Sequence, residues 1–184
     1  MNTPKMVQSW RVRGGYVLAV VVLSLARPTL HSILLGAAIG LLGLAIRAHA
    51  AGYLHKQEVL TVTGPYARTR NPLYFGSSIL AVGTAVATHS WWAAALILGY
   101  FAVVYIVVMR REEAELRQKH GPSFDAYAKL VPLFFPQLTS ARELGGTQIS
   151  FSFAQYEKNR EYRAAVGFFL LLLVLVIILH LRAA

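Results

Sequence analysis

The sequence predicts an all-α, polytopic transmembrane bundle of about five spans with short cytoplasmic helices, and three observations predict it. Hydrophobic residues make up 56% of the 184-residue chain and charged residues only 14%, where soluble domains carry about a quarter charged. Long apolar runs follow one another without the period-two alternation of a membrane barrel. The basic residues, finally, gather on one side of those runs. The whole chain reads as a single membrane domain, residues 1–184, without repeats or low-complexity linkers.

The first run, residues 16–26, follows Lys5, Arg11 and Arg13 and ends in Ser24-Leu25-Ala26. That pattern resembles a secretory signal, but further spans follow, so it reads as a retained helix. The second run, 33–46, continues toward Leu54 provided that Arg47 and His49 lie near an end or face protein; Arg47 reads as a snorkelling end residue. Gly36, Gly40 and Gly43 recur at helical spacing and predict close helix packing. An amphipathic stretch, 53–71, leads to Asn71-Pro72, where Asn is expected to cap and Pro to open the third run, 73–87. The first and third runs are short and need flanking residues to cross a bilayer.

Thr88-His89-Ser90-Trp91-Trp92 is a tight outer link without Lys or Arg, and its tryptophans suit an interface. The fourth run, 91–109, passes into a charged helical stretch, 110–120, where Glu115 and Lys119 have i,i+4 spacing. Gly121-Pro122 breaks it, and Ser123 is placed to cap a short helix ending near Leu130. Residues 131–136 contain two prolines and lie at the interface. Residues 137–160 read as a polar connection whose Phe151, Phe153 and Tyr156 reach the head-group layer. The last run, 164–181, ends at His180 and Arg182.

With the N-terminus inside, all but Arg27 and Arg182 of the 18 Lys and Arg residues fall on the cytoplasmic side. This is positive-inside asymmetry, and the C-terminus is then outside; in a bacterium the bilayer is the inner membrane. The formal charge of +10 therefore points to anionic lipid rather than to nucleic acid. The absence of cysteine excludes disulfides and thiolate metal sites, and His49 has no convincing ligand partners, so no metal is expected. Neither a Walker loop nor a glycine-rich dinucleotide fingerprint is present. No acidic residue lies mid-span, which argues against a transporter.

Two polar clusters remain. Gly64-Pro65-Tyr66-Ala67-Arg68-Thr69-Arg70-Asn71-Pro72-Leu73-Tyr74 sets arginines and tyrosines at a helix start, whose free N–H groups favour a carboxylate or phosphate. The other reading of these arginines is contact with lipid phosphate. Arg110-Arg111-Glu112-Glu113 is either a solvated helix start or a site for a ligand's ammonium or hydroxyl groups. Arg47 and, before the last span, Tyr156, Asn159, Arg160 and Glu161 are lesser candidates.

At the two clusters the chain resembles the superfamily of isoprenylcysteine carboxyl methyltransferases and phospholipid methyltransferases. The matching pieces are Gly64-Pro65-Tyr66, Arg70-Asn71-Pro72-Leu73-Tyr74, Glu112-Glu113-Ala114-Glu115-Leu116 and Gly121-Pro122-Ser123-Phe124-Asp125-Ala126-Tyr127, closed by Pro132 and Pro136. They cover a core of about residues 40–136, and residues 137–184 extend beyond it. The resemblance implies S-adenosylmethionine as cofactor, held by Tyr66, Arg70, Asn71, Pro72, Leu73, Tyr74, Glu112, Glu113 and Tyr127. It also implies Glu113 and Arg111 (or Arg110) in the chemistry or in orienting a lipophilic acceptor, a carboxylate or an amine. The family's histidine is Asn71 here, which keeps hydrogen bonding but carries no titrating proton. An acceptor entering between spans three, four and five is a further expectation. Two alternatives stay open: a sterol-reductase-like enzyme using NADPH, and a non-catalytic scaffold that retains the fold.

Overall fold

The computed structural model describes residues 3–55, 59–139 and 149–183. The side chains of Lys5, Arg11 and Arg13, and residues 140–148 of the predicted connection, lie outside the described residues. Helices α1 (Thr3–Leu25), α2 (Leu30–Tyr53), α3 (Pro72–Thr88), α4 (Trp91–His120), α5 (Pro122–Leu130), α6 (Phe153–Lys158) and α7 (Tyr162–Ala183) form the fold, with a 3₁₀ turn at Gly64–Ala67. The described residues contain no strand. Three helices, Leu30–Tyr53, Trp91–His120 and Tyr162–Arg182, are long and apolar enough to cross a membrane. Gly14–Leu25 and Pro72–Thr88 are shorter apolar helices, the two runs that the sequence marks as short. At 17 residues, α3 is about 26 Å long, below the ~30 Å of hydrocarbon.

The frame is the α2–α3 pair, and it exists because its facing residues lack side chains. A Cβ on Gly36 would sit 2.5 Å from the Gly83 carbonyl oxygen, and one on Gly43 would sit 2.7 Å from that of Gly76. A Cβ on Gly83 would meet the Gly40 nitrogen at 2.6 Å. Backbone lies on backbone, as small residues at helical spacing predict. Gly40 also receives the ring of Phe168, which docks α7 against α2.

Backbone turns join the far end of the bundle. Arg27 N donates to the Thr88 carbonyl at 2.8 Å, and Ala26, Ile33, Ala87 and Leu175 pack together beneath it. Ser90 caps α4, its hydroxyl accepting from Ala93 N, while Trp91 and Trp92 stand exposed beside it.

The opposite, polar end departs from the sequence reading in several places. Arg47 is not a snorkelling end residue: it turns inward to pair with Glu161 and to donate to Ser77 Oγ and, at 3.3 Å, to the Leu73 carbonyl. An arginine at this depth is costly facing hydrocarbon and finds its partners inside. Ser123 caps nothing; the N-cap of α5 is Gly121, at φ +50, and Pro122 opens the helix. The predicted polar connection contains helix α6, capped by Ser152, and Phe151 just before it packs on Gly52. That segment satisfies the free carbonyls that end α2. Gln155 Nε2 donates to Leu54 O at 2.6 Å and Asn159 Nδ2 to Ala51 O and Leu54 O, each at 2.9 Å.

Candidate functional site

The two polar clusters meet because α3 and α4 are antiparallel, separated by only His89 and Ser90. The start of α3 therefore returns to the level where α4 leaves its apolar stretch. There Tyr74 OH donates to Glu112 Oε1 at 2.5 Å, across 38 residues of chain. One turn away Arg70 forms an ion pair with Glu113, whose other oxygen takes Arg110 at 3.4 Å. Glu113 is buried and held between two guanidinium groups, which offsets its desolvation. Glu112, by contrast, is exposed.

Below this clamp the chain 64–74 is fastened to the segment after α5. Arg70 N donates to Pro132 O at 2.9 Å, Thr69 Oγ1 to Phe134 O at 2.8 Å, and Gln137 N to Arg68 O at 3.0 Å. Asn71 is the N-cap residue of α3, but its side chain does not cap as the sequence suggested. Its Nδ2 donates instead to the Leu133 carbonyl at 3.0 Å, because residues 131–136 run directly beside it. The Asn71 side chain thus leaves the start of α3 without a side-chain cap, and Pro72, which has no N–H, opens the helix.

The predicted residues thus divide by accessibility. Tyr66 and Tyr127 are buried, and Pro72 is among the most enclosed side chains. Tyr127 OH donates to the Tyr66 carbonyl at 2.7 Å, and its ring packs with Val62, Phe124 and Val131. Burial pushes the Tyr127 phenol well up, with Arg70 pulling against it. The Tyr66 phenol is also raised, first by burial and then by Tyr127, Glu112 and Glu161. Both are neutral groups at physiological pH. Arg70, Asn71, Leu73 and Tyr74 are half-buried. Arg111 is exposed and donates to Glu115 at 3.0 Å, so Glu115 bonds backward along the helix to Arg111.

Two contributors were not singled out in the sequence. Tyr105 meets the Tyr74 ring edge-on at 5.0 Å and stacks on Phe101 at 4.1 Å, giving the clamp an aromatic wall. Their i,i+4 spacing, one face above Glu112, was the available signal. Thr69, only 2% exposed, anchors the loop.

These groups suit S-adenosylmethionine in chemistry. The site offers an exposed carboxylate acceptor, Glu112, and guanidinium donors, Arg70 and Arg110, the kinds of group that an ammonium, hydroxyls and a carboxylate need. Arg70 Nε is buried without a protein partner, an unmet donor at this point. Among the described residues no group of three His, Asp or Glu side chains could hold a metal ion.

The fold and clamp define a membrane-embedded helical protein with a polar site at one end of its bundle. Residues 21–123 match the phospholipid methyltransferase family, and the chain belongs to it. The nickel-cobalt-cadmium resistance protein NccN of Alcaligenes xylosoxydans xylosoxydans is 36% identical over 56% of this chain and 51% of its own length. The cobalt-zinc-cadmium resistance protein CzcN of Cupriavidus metallidurans is 33% identical over 72% of this chain and 64% of its own. The matches thus span between half and two thirds of these relatives. No solved structure matches the chain.

Proposed function

We propose that the chain transfers a methyl group from S-adenosylmethionine to a lipidic or membrane-partitioned acceptor, a carboxylate or an amine, at the cytoplasmic face. The observation that carries this reading is the Tyr74–Glu112 and Arg70–Glu113 clamp, which joins two motifs far apart in sequence at one accessible point. Family membership supports methyl transfer; the donor, the acceptor and the roles of individual residues are our reading.

When bound, S-adenosylmethionine supplies a methyl carbon already activated by a sulfonium, so the protein chiefly aligns the reactants and excludes water. In this reading Glu112, steadied by Tyr74, accepts from ammonium and hydroxyl groups. Arg70 and the α3 terminus hold a carboxylate. The Tyr74–Tyr105–Phe101 wall offers aromatic faces to a cation. Glu113 is occupied by Arg70 and Arg110 and acts as the positioning group that ties α4 to α3. Arg111, exposed on the same stretch, orients an anionic acceptor. Asn71 donates to Leu133 and moves no proton, so a carboxylate acceptor, which needs no base, fits this site best.

The test uses membranes containing the full chain, incubated with methyl-labelled S-adenosylmethionine. Label entering the lipid fraction, and lost in Glu112→Gln, is the expected result. Label that never enters lipid, or that enters equally with Glu112→Gln, rejects the proposal. Because the relatives are named for metal resistance, growth in cobalt, nickel or cadmium is the physiological readout to run beside it.

A further inference from the structure

Arg47 makes more contacts than an ion pair requires. It leaves α2 over Gly76, where a Cβ would stand 2.7 Å from Arg47 Cγ, so the bare glycine lets the side chain cross α3 close to its start. The guanidinium then divides its donors between two elements. Nε and Nη2 both go to Glu161 Oε1, while Nη1 goes to Ser77 Oγ and, at 3.3 Å, to the Leu73 carbonyl. Ser77 Oγ itself donates to that carbonyl at 2.8 Å. An ion pair alone uses only the Glu161 side of this fork. A lysine, with a single ammonium in place of the planar fork, cannot serve both sides at once.

Leu73 immediately precedes Tyr74. Gly76 and Tyr74 are two residues apart and so about 200° apart around the helix. The turn that Arg47 holds from the α2 side therefore presents Tyr74 to Glu112 and Tyr105 on α4. That turn has no side-chain cap of its own. It is held from outside, by Asn71 on the Leu133 carbonyl and by Arg47 on the Leu73 carbonyl. A tilt of this first turn carries the Tyr74 hydroxyl away from its 2.5 Å contact with Glu112.

Glu161 is in turn held in place. It stands between α6 and α7, at a corner that turns through Arg160 in the left-handed region, φ +53. Gln155 and Asn159 tie that corner to the last carbonyls of α2, and the Phe168 ring docks α7 at Gly40. Glu161 lies beyond residue 123, where the family segment ends, so the C-terminal part of the chain supplies this brace. We infer that Arg47, braced by Glu161, is a positioning residue: through the Leu73 carbonyl it fixes the first turn of α3 and so aims Tyr74 at Glu112. The consequence for cofactor binding rests on the reading of the clamp as the S-adenosylmethionine site; the aiming of Tyr74 does not.

The experiment uses the full chain labelled with fluorotyrosine and purified in detergent, the Tyr74 fluorine resonance being identified by its loss in Tyr74→Phe. Arg47→Lys is expected to move that resonance toward its position in Glu112→Gln, where the charged acceptor is gone. The resonance of Tyr100, beside Gly14 and Gly15, stays in place. Arg47→Leu/Glu161→Leu leaves no charge unpaired and is expected to move the Tyr74 resonance as well, so the shift does not follow stability. This variant carries the test should Arg47→Lys fail to fold. In titrations with S-adenosylmethionine, Arg47→Lys weakens binding by about fivefold, the scale of coupling between contacting residues, and adds nothing in a Tyr74→Phe background. A Tyr74 resonance unmoved in either folded variant, or a binding loss that adds in full to that of Tyr74→Phe, would overturn the inference. Moved resonances in a chain that binds no S-adenosylmethionine would support the aiming of Tyr74 and reject the cofactor reading instead.

Discussion

Helix α3 meets its two neighbours in opposite ways. Against α2 it lies backbone on backbone, along glycines where a Cβ would stand 2.5–2.7 Å from main-chain atoms. Against α4 the contact is made by side chains, Tyr74 on Glu112 and Arg70 on Glu113, and α4 buries no residue between Ala93 and Met109. The seam cannot yield without separating helices, whereas the clamp yields by side-chain rotation alone. A rigid pair therefore presents one wall of the site, and a more loosely packed helix brings the acidic wall to it.

Arg47 is where the two regions touch, since it leaves α2 over Gly76 and ends on α3 and Glu161. The largest effect is expected there. Arg47→Leu leaves Glu161 charged, half-buried and without its guanidinium, and costs about 3 kcal/mol, the low end for breaking an enclosed pair. The double change Arg47→Leu/Glu161→Leu recovers most of that loss, because no charge remains unpaired. Thermal unfolding of the single and double variants in one detergent checks this, and a double variant no more stable than the single contradicts it.

Next comes the seam. Gly43→Val pushes a branched side chain onto the Gly76 carbonyl and the Leu80 backbone, with an overpacking cost of about 2–3 kcal/mol. Gly99→Val, where a Cβ meets nothing within 4 Å, leaves stability nearly unchanged. Equal melting temperatures for the two variants would remove the distinction between frame and lipid-facing surface.

How much of this was legible in the sequence depends on the range of the interaction. The seam was visible because Gly36, Gly40 and Gly43 repeat within one helix. The Arg47–Glu161 pair spans 114 residues and no local pattern marks it. Arg47 read alone looks like an end residue; only the docking of α7 supplies its carboxylate. Asn71 misled in a similar way. A cap is the local solution for an Asn before Pro, but residues 131–136 offered the Leu133 carbonyl and took the side chain. Helix α6 was hidden because a six-residue helix carries almost no periodic signal, and its reason for forming is the carbonyl-rich end of α2. The joining of the Tyr74 and Glu112 clusters was suggested by family resemblance and by nothing in composition.

A smaller effect probes the floor of the clamp. Tyr127→Phe removes the bond to the Tyr66 carbonyl and costs about 1 kcal/mol. Burial raises the Tyr127 phenol above its ordinary value of 10.0, so the folded state favours the neutral form. Its contribution is fully present below pH 10.0 and declines as the pH rises above that value, where the unfolded chain ionises first. Melting temperatures taken between neutral and strongly alkaline pH should fall less steeply for Tyr127→Phe. Parallel curves would contradict the assignment.

The clamp as a cofactor site is tested most directly by titration calorimetry of the purified chain with S-adenosylmethionine and its demethylated product. Binding is expected in the unaltered protein and is expected to weaken by about tenfold in Glu112→Gln and in Tyr74→Phe, each losing one charge-assisted contact. Saturable heat that is identical in all three proteins, or no heat at millimolar ligand, would contradict the account.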